Sequence, residues 1–97
     1  MRAFNAVHAE PADQVDEPRY RVNFWHWPGV GYGWNLDAFI LKGARDVREA
    51  LEWADRHSAG RRFEVFIETG DDADESFDRP RSGVLIRILG ANPNEGR

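Results

Sequence analysis

"FWHWPGVGYGW", residues 24–34, decides how this chain folds, because it separates two segments that alternate in polarity and sets how they face each other. It contains three of the four tryptophans, a histidine, one of the two tyrosines, and glycines at 29, 31 and 33. Before it, "RYRVNFWHW" alternates Tyr20, Val22 and Phe24 against Arg19, Arg21 and Asn23, the period of a half-buried strand. After it, "WNLDAFILK" places Trp34, Leu36, Ala38 and Ile40 on one side and Asn35, Asp37, Phe39 and Leu41 on the other. Glycines supply the positive φ that a chain reversal needs, so the stretch reads as the turn of a hairpin. A ligand-contacting loop is the alternative. As a dinucleotide fingerprint the glycines fail, since the third falls one place early and a strand, not a helix, follows. The letters "VGYG" match a potassium filter without the flanking membrane helices that such a filter requires.

Downstream, "DVREALEWADRHSAG" repeats Val47, Ala50, Leu51 and Ala54 at helical spacing. Asp46 and Glu49 resemble a capping box, and Gly60 suits a left-handed stop. "RFEVFIE" then sets Phe63, Val65 and Ile67 opposite Glu64, Phe66 and Glu68, and "GVLIRIL" sets Val84, Ile86 and Ile88 opposite Leu85, Arg87 and Leu89. The chain therefore predicts an α+β domain over residues 19–90, a four-stranded, mostly antiparallel sheet in the order ββαββ with one helix on one face. Residues 1–18, with Pro11 and Pro18, read as a flexible arm. Residues 70–82 read as a mobile acidic loop and 91–97 as a tail.

The expected inner face is Tyr20, Val22, Phe24, Trp34, Leu36, Ile40, Phe63, Val65, Ile67, Val84, Ile86 and Ile88, closed by Val47, Leu51 and Ala54, with Trp53 at the sheet rim. The second face then carries Trp25, Trp27, Phe39, Leu41, Phe66, Leu85 and Leu89 among Arg21, Asp37, Glu64, Glu68 and Arg87. A bulge before Pro28 would instead turn the two tryptophans inward. One helix covers one face only, and this second face is too apolar to stand wholly in water.

Composition narrows the function classes. With 41% hydrophobic and 31% charged residues the chain is of globular type, and 97 residues make one domain of marginal core. There is no cysteine, which removes disulfides and thiol chemistry and fits a reducing compartment. "MRAFNAVHAE" lacks an apolar signal core, so a soluble, cytoplasmic protein is expected. Of 13 basic residues only Lys42 is lysine, a bias from which a GC-rich, bacterial source is expected. The net charge of -4 is segregated: residues 19–70 with 79–90 hold 11 basic and 7 acidic residues, a net of +4. The acidic sign therefore does not exclude an anionic partner.

His8, His26 and His57 have no metal spacing. "DDADESFD" offers oxygen ligands at Asp72, Asp74, Ser76 and Asp78, yet has Phe77 where a calcium loop needs glycine and Gly83 where it needs glutamate. No metal and no cofactor is expected. No paired acid and base, nucleophile elbow or triad order is present, although Glu64 and Glu68 share a strand face. The reading that follows is a non-enzymatic interaction module, a homodimer or the binder of a protein partner, using Trp25, Trp27, Phe39, Phe66 and Leu85. An inhibitor or immunity type acting through Asp71 to Asp78 is a special case of it. The alternative from another class is a nucleic-acid or nucleotide binder, stacking bases on the tryptophans and meeting phosphates with Arg21 and Arg87.

Overall fold

In the computed structural model, which describes residues 1–8, 15–70 and 83–94, the chain is an α+β fold in the expected ββαββ order. The strands are β1 (Arg19–His26), β2 (Asn35–Leu41), β3 (Arg62–Glu68) and β4 (Leu85–Leu89), and the helix is α1 (Val47–His57). They form a four-stranded sheet in the order β2-β1-β3-β4, with all three pairings antiparallel. Because β1 runs opposite to both neighbours, β2 and β3 are parallel, and α1 is the crossover between them. Residues 1–8 are exposed and carry no regular secondary structure. Most of the expected acidic loop, and the end of the tail, lie outside the described residues.

Strand β1 is central, and its partners set the core. Tyr20, Val22 and Phe24 face Ile67, Val65 and Phe63 across the ladder to β3, and all three β1 side chains are buried. Against them α1 presents Ala50 and Ala54, both buried, whose small size lets the helix approach the sheet closely. Around Phe24 the rings of Phe39, Trp53 and Phe63 lie 5.7, 6.0 and 6.0 Å away, with edge or tilted geometry. The Arg61 guanidinium covers the same ring at 4.4 Å.

Asp46 is the N-cap, its carboxylate accepting from the Glu49 backbone N–H at 2.9 Å. The return half of the expected box does not form, because the Glu49 side chain pairs with Arg45. The helix stops at Ser58, and Ala59 and Gly60 follow with φ of 51° and 79°. Arg61 then ties this end down, donating to the carbonyls of His57 and Ser58 at 3.0 and 2.9 Å and to Asp37 at 3.2 Å.

The hairpin forms as expected, but the faces of β2 are the reverse of those expected. Tyr20 is paired with Leu41, Val22 with Phe39 and Phe24 with Asp37, so Phe39 and Leu41 stand on the helix side. Trp25, Asn23 and Arg21 are paired with Leu36, Ala38 and Ile40, which therefore belong to the second face. Directly opposed residues of an antiparallel pair share a face, and a shift of one residue exchanges the whole set. The helix also leaves the β4 side uncovered: Val84 and Ile86, expected inside, are 68% and 50% exposed, and Val47 is 44% exposed.

Truncating the central ring, Phe24→Ala, is expected to lower the unfolding free energy by about 3–5 kcal/mol in urea denaturation. Removing the cap, Asp46→Ala, is expected to lower it by about 1 kcal/mol.

Candidate functional site

The second face is organised around two carboxylates. Glu64 and Glu68 alternate with Phe66 along β3, and this period places all three side chains away from the helix. Glu64 is 2% exposed. Its Oε1 accepts from Asn23 Nδ2 and from Trp25 Nε1, both at 3.0 Å, and its Oε2 accepts from Arg87 at 2.5 Å. Glu68, 4% exposed, pairs with Arg21 at 2.8 Å and with Arg19 at 3.8 Å. Each of these partners is the direct or diagonal cross-strand neighbour of its carboxylate, so the register alone brings them together.

Between the carboxylates, the Arg87 guanidinium covers the Phe66 ring at 4.8 Å. Arginine stems lie along apolar surface while their heads bind the carboxylates. In this way the face that seemed too apolar for water is closed by the chain's own side chains. Trp25 and Phe66 are 6% and 8% exposed.

The five side chains expected to bind a partner thus separate. Trp25 and Phe66 stand on the second face but are buried in this network. Leu85 is half-buried on the same face, opposite Glu68. Phe39 is displaced by the reversed parity of β2 and packs against Phe24 and Trp53 on the helix side. Asp37, expected beside Glu64 and Glu68, is on the helix side as well, held by Arg61. Trp27 and, on the helix side, Phe39 are the exposed members of the five, at 40% and 39%. The two cations assigned to anions, Arg21 and Arg87, are engaged by Glu68 and Glu64.

Trp27 leads into the hairpin tip, residues 27–34. Trp34, expected in the core, instead packs its ring 5.2 Å from that of Trp27, with the Arg62 guanidinium over the Trp34 ring at 5.1 Å. Its backbone N–H donates to Asn94 Oδ1 at 3.2 Å, which brings the C-terminal segment against the tip. Gly90 permits that path. Its φ is 89°, and a Cβ there would stand 2.4 Å from the Phe63 carbonyl oxygen.

Gly29 and Gly31, with φ of 133° and 90°, turn the tip so that Val30 and Tyr32 point into solvent, 92% and 70% exposed. Trp27 and Leu36, at the two bases of the tip, are 40% and 51% exposed, so four large apolar side chains stand open at this end of the sheet.

A groove of about 410 Å³ lies between the end of β2 and α1, floored by Leu41, Ala50 and Trp53 and edged by Lys42, Arg45 and Arg56. A hydrogen bond from Arg45 to Glu49, and the charge of that carboxylate, hold the Arg45 guanidinium above the usual arginine pKa. Among the described residues no cluster of three or more histidine and carboxylate groups is arranged to hold a metal ion, and no helix is long and apolar enough to cross a membrane.

Comparison with family models, with curated proteins and with solved structures finds no match for the chain. The site is therefore read from its geometry alone.

Sequence reasoning missed Asn23 as a partner of Glu64, and Val30, Tyr32 and Leu36 as exposed apolar groups. A polar residue opposite a glutamate on the same strand face was the available signal for Asn23; nothing in the letters distinguishes a solvent-facing valine in a glycine loop. Replacing Glu64 by leucine leaves the Asn23 and Trp25 donors without this acceptor and leaves Arg87 with the Gly90 carbonyl alone. It is expected to cost about 1–3 kcal/mol for each donor that water does not reach, and tryptophan fluorescence during urea unfolding measures it.

Proposed function

We propose that the protein is a small non-enzymatic module that binds a protein partner through the tip of its β1–β2 hairpin, with Trp27, Val30, Tyr32 and Leu36 as contact residues. The observation that carries this reading is the exposure of four large apolar side chains, from 40% to 92%, in and beside the hairpin tip at one end of the sheet. Large aromatic groups with a rigid attachment lose little entropy on docking and anchor protein contacts efficiently. Here the strand ladder below the tip, the Trp27–Trp34 ring pair and the Asn94 hydrogen bond supply the attachment. The rest of the second face is closed by its own ion pairs, so the contact shifts from the middle of that face to its end.

The chemistry of the carboxylates supports a binding role over catalysis. Glu64 and Glu68 are four residues apart on one strand, about 13 Å at the usual strand rise, too far to act on one bond. Both are neutralised by arginine. The same pairing takes Arg21 and Arg87 away from phosphates, which weighs against the nucleic-acid reading.

A photo-crosslinking residue placed at position 32 of the chain in its native cells is expected to give adducts of higher mass. The same group at the exposed helix position 48 is expected to give none. Equal labelling from both positions, or none from 32, would overturn the proposal.

A further inference from the structure

The segment after β4 is tied down at several points. At Gly90 the chain leaves the sheet so close above the Phe63–Glu64 peptide that a Cβ there would overlap the Phe63 carbonyl oxygen and stand 2.8 Å from Glu64 Cα. The Gly90 carbonyl accepts from Arg87 at 3.1 Å, the same guanidinium that pairs with Glu64. Asn92 and Pro93 are half-buried, and Asn92 Oδ1 accepts from the Asn94 N–H at 2.8 Å, closing a turn. This turn sets Asn94 against the hairpin. Its Oδ1 accepts from the Trp34 N–H at 3.2 Å and lies 3.6 Å from the place of a Cβ at residue 33, which Gly33 leaves open. Residues 90–94 thus run from the end of β4, over the start of β3, to the residue that precedes β2.

The position in which this bond holds Trp34 costs its side chain a hydrogen bond. The indole Nε1 is shielded from water and has no acceptor among the described residues. A tryptophan free to turn avoids that loss by pointing its N–H at solvent. Ring contact opposes the turn: Trp27 lies 5.2 Å away and the Arg62 guanidinium 5.1 Å away. Gly31 and Gly33 stand just before Trp34, and glycines absorb a backbone change with little strain. Two arrangements of Trp34 are therefore close in free energy, one held against Trp27 and one open to water, and the bond to Asn94 favours the first.

We infer that residues 90–94 are a strap that switches the hairpin tip. With Asn94 on the Trp34 N–H, Trp34 backs Trp27 and the tip is preorganised to bind. With Asn94 withdrawn, the Trp34 indole turns to water, Trp27 loses its support and binding falls with the population of the held state. Asn94 acts through Trp34 and is a positioning residue. The effect on binding rests on the tip contact proposed above, whereas the hold on Trp34 does not.

In the full chain, Asn94→Ala removes the acceptor and Asn94→Asp keeps one. Hydrogen exchange of the Trp34 backbone amide, followed by NMR, is expected to rise roughly tenfold in Asn94→Ala, the factor that one hydrogen bond supplies. The amides of Val22 and Val65, in the central ladder, are expected to keep their rates. The circular-dichroism couplet of the Trp27–Trp34 ring pair is expected to weaken, and adducts from a photo-crosslinking residue at position 32 to decrease. Asn94→Asp is expected to restore all three signals.

Unchanged Trp34 exchange and an unchanged couplet in Asn94→Ala overturn the strap, with or without crosslinking at position 32. A loosened Trp34 with full crosslinking overturns the switch and leaves the tip contact standing. Wild type that gives no adducts overturns the tip contact and the control of binding together, while exchange and the couplet still decide the hold on Trp34. Losses that Asn94→Asp does not restore overturn the role of the Asn94 oxygen.

Discussion

The buried carboxylate of Glu64 is the constraint on which the sheet depends. It accepts hydrogen bonds from Asn23 and Trp25 of β1 and from Arg87 of β4, so one side chain on β3 joins three adjacent strands on the face without a helix. A carboxylate this deeply buried is tolerable only with donors around it. Its presence therefore requires β1 and β4 to flank β3, which is the strand order found. Glu68, four residues further along the same face, is held in turn by Arg19 and Arg21 of β1.

This polar layer and the aromatic core divide the work of burial between the two faces of one strand. On the helix side, Phe24 and its ring neighbours remove apolar area from water, and Arg61 fastens the crossover above them. On the other side, arginine stems take the place of a second helix. A small chain can in this way hide a central strand on both faces without building a third layer. Among the described residues of the sheet, the large apolar groups left exposed lie at the glycine-bearing tip and along the outer strands.

The element order, the helix with its aspartate cap and the faces of β1 and β3 were legible because period and polarity agree there. Residues 62–68, for example, alternate apolar groups with Glu64 and Glu68. Strand β2 was not legible in this sense. Both of its parities are apolar, Leu36, Ala38 and Ile40 on one and Phe39 and Leu41 on the other, so the alternation does not say which faces the helix. The eight-residue connection 27–34 decides it, and connection length is a property of backbone geometry that the hydrophobic pattern does not encode. The site was legible to a similar degree. Trp25 and Phe66 were placed on the correct face, while their burial follows from ion pairs that become visible only once Glu64, Asn23 and Arg87 are seen side by side.

The bonds that close this face are distant along the chain. Asn23 and Trp25 reach Glu64 across 41 and 39 residues, and Arg21 reaches Glu68 across 47. The β1–β2 hairpin is local and is complete before residue 42, whereas the ladder from β1 to β3 must wait for the whole crossover. Long-range pairing of this kind slows folding, because the entropy of loop closure is lost before the contacts that compensate it form. A ribosome-bound chain would thus expose its arginine-bearing central strand, with Trp25 unsatisfied, for the time needed to synthesise some forty further residues. The closing glutamates emerge only after the hairpin and the helix, and the closing of the central strand is in that sense controlled from the third strand.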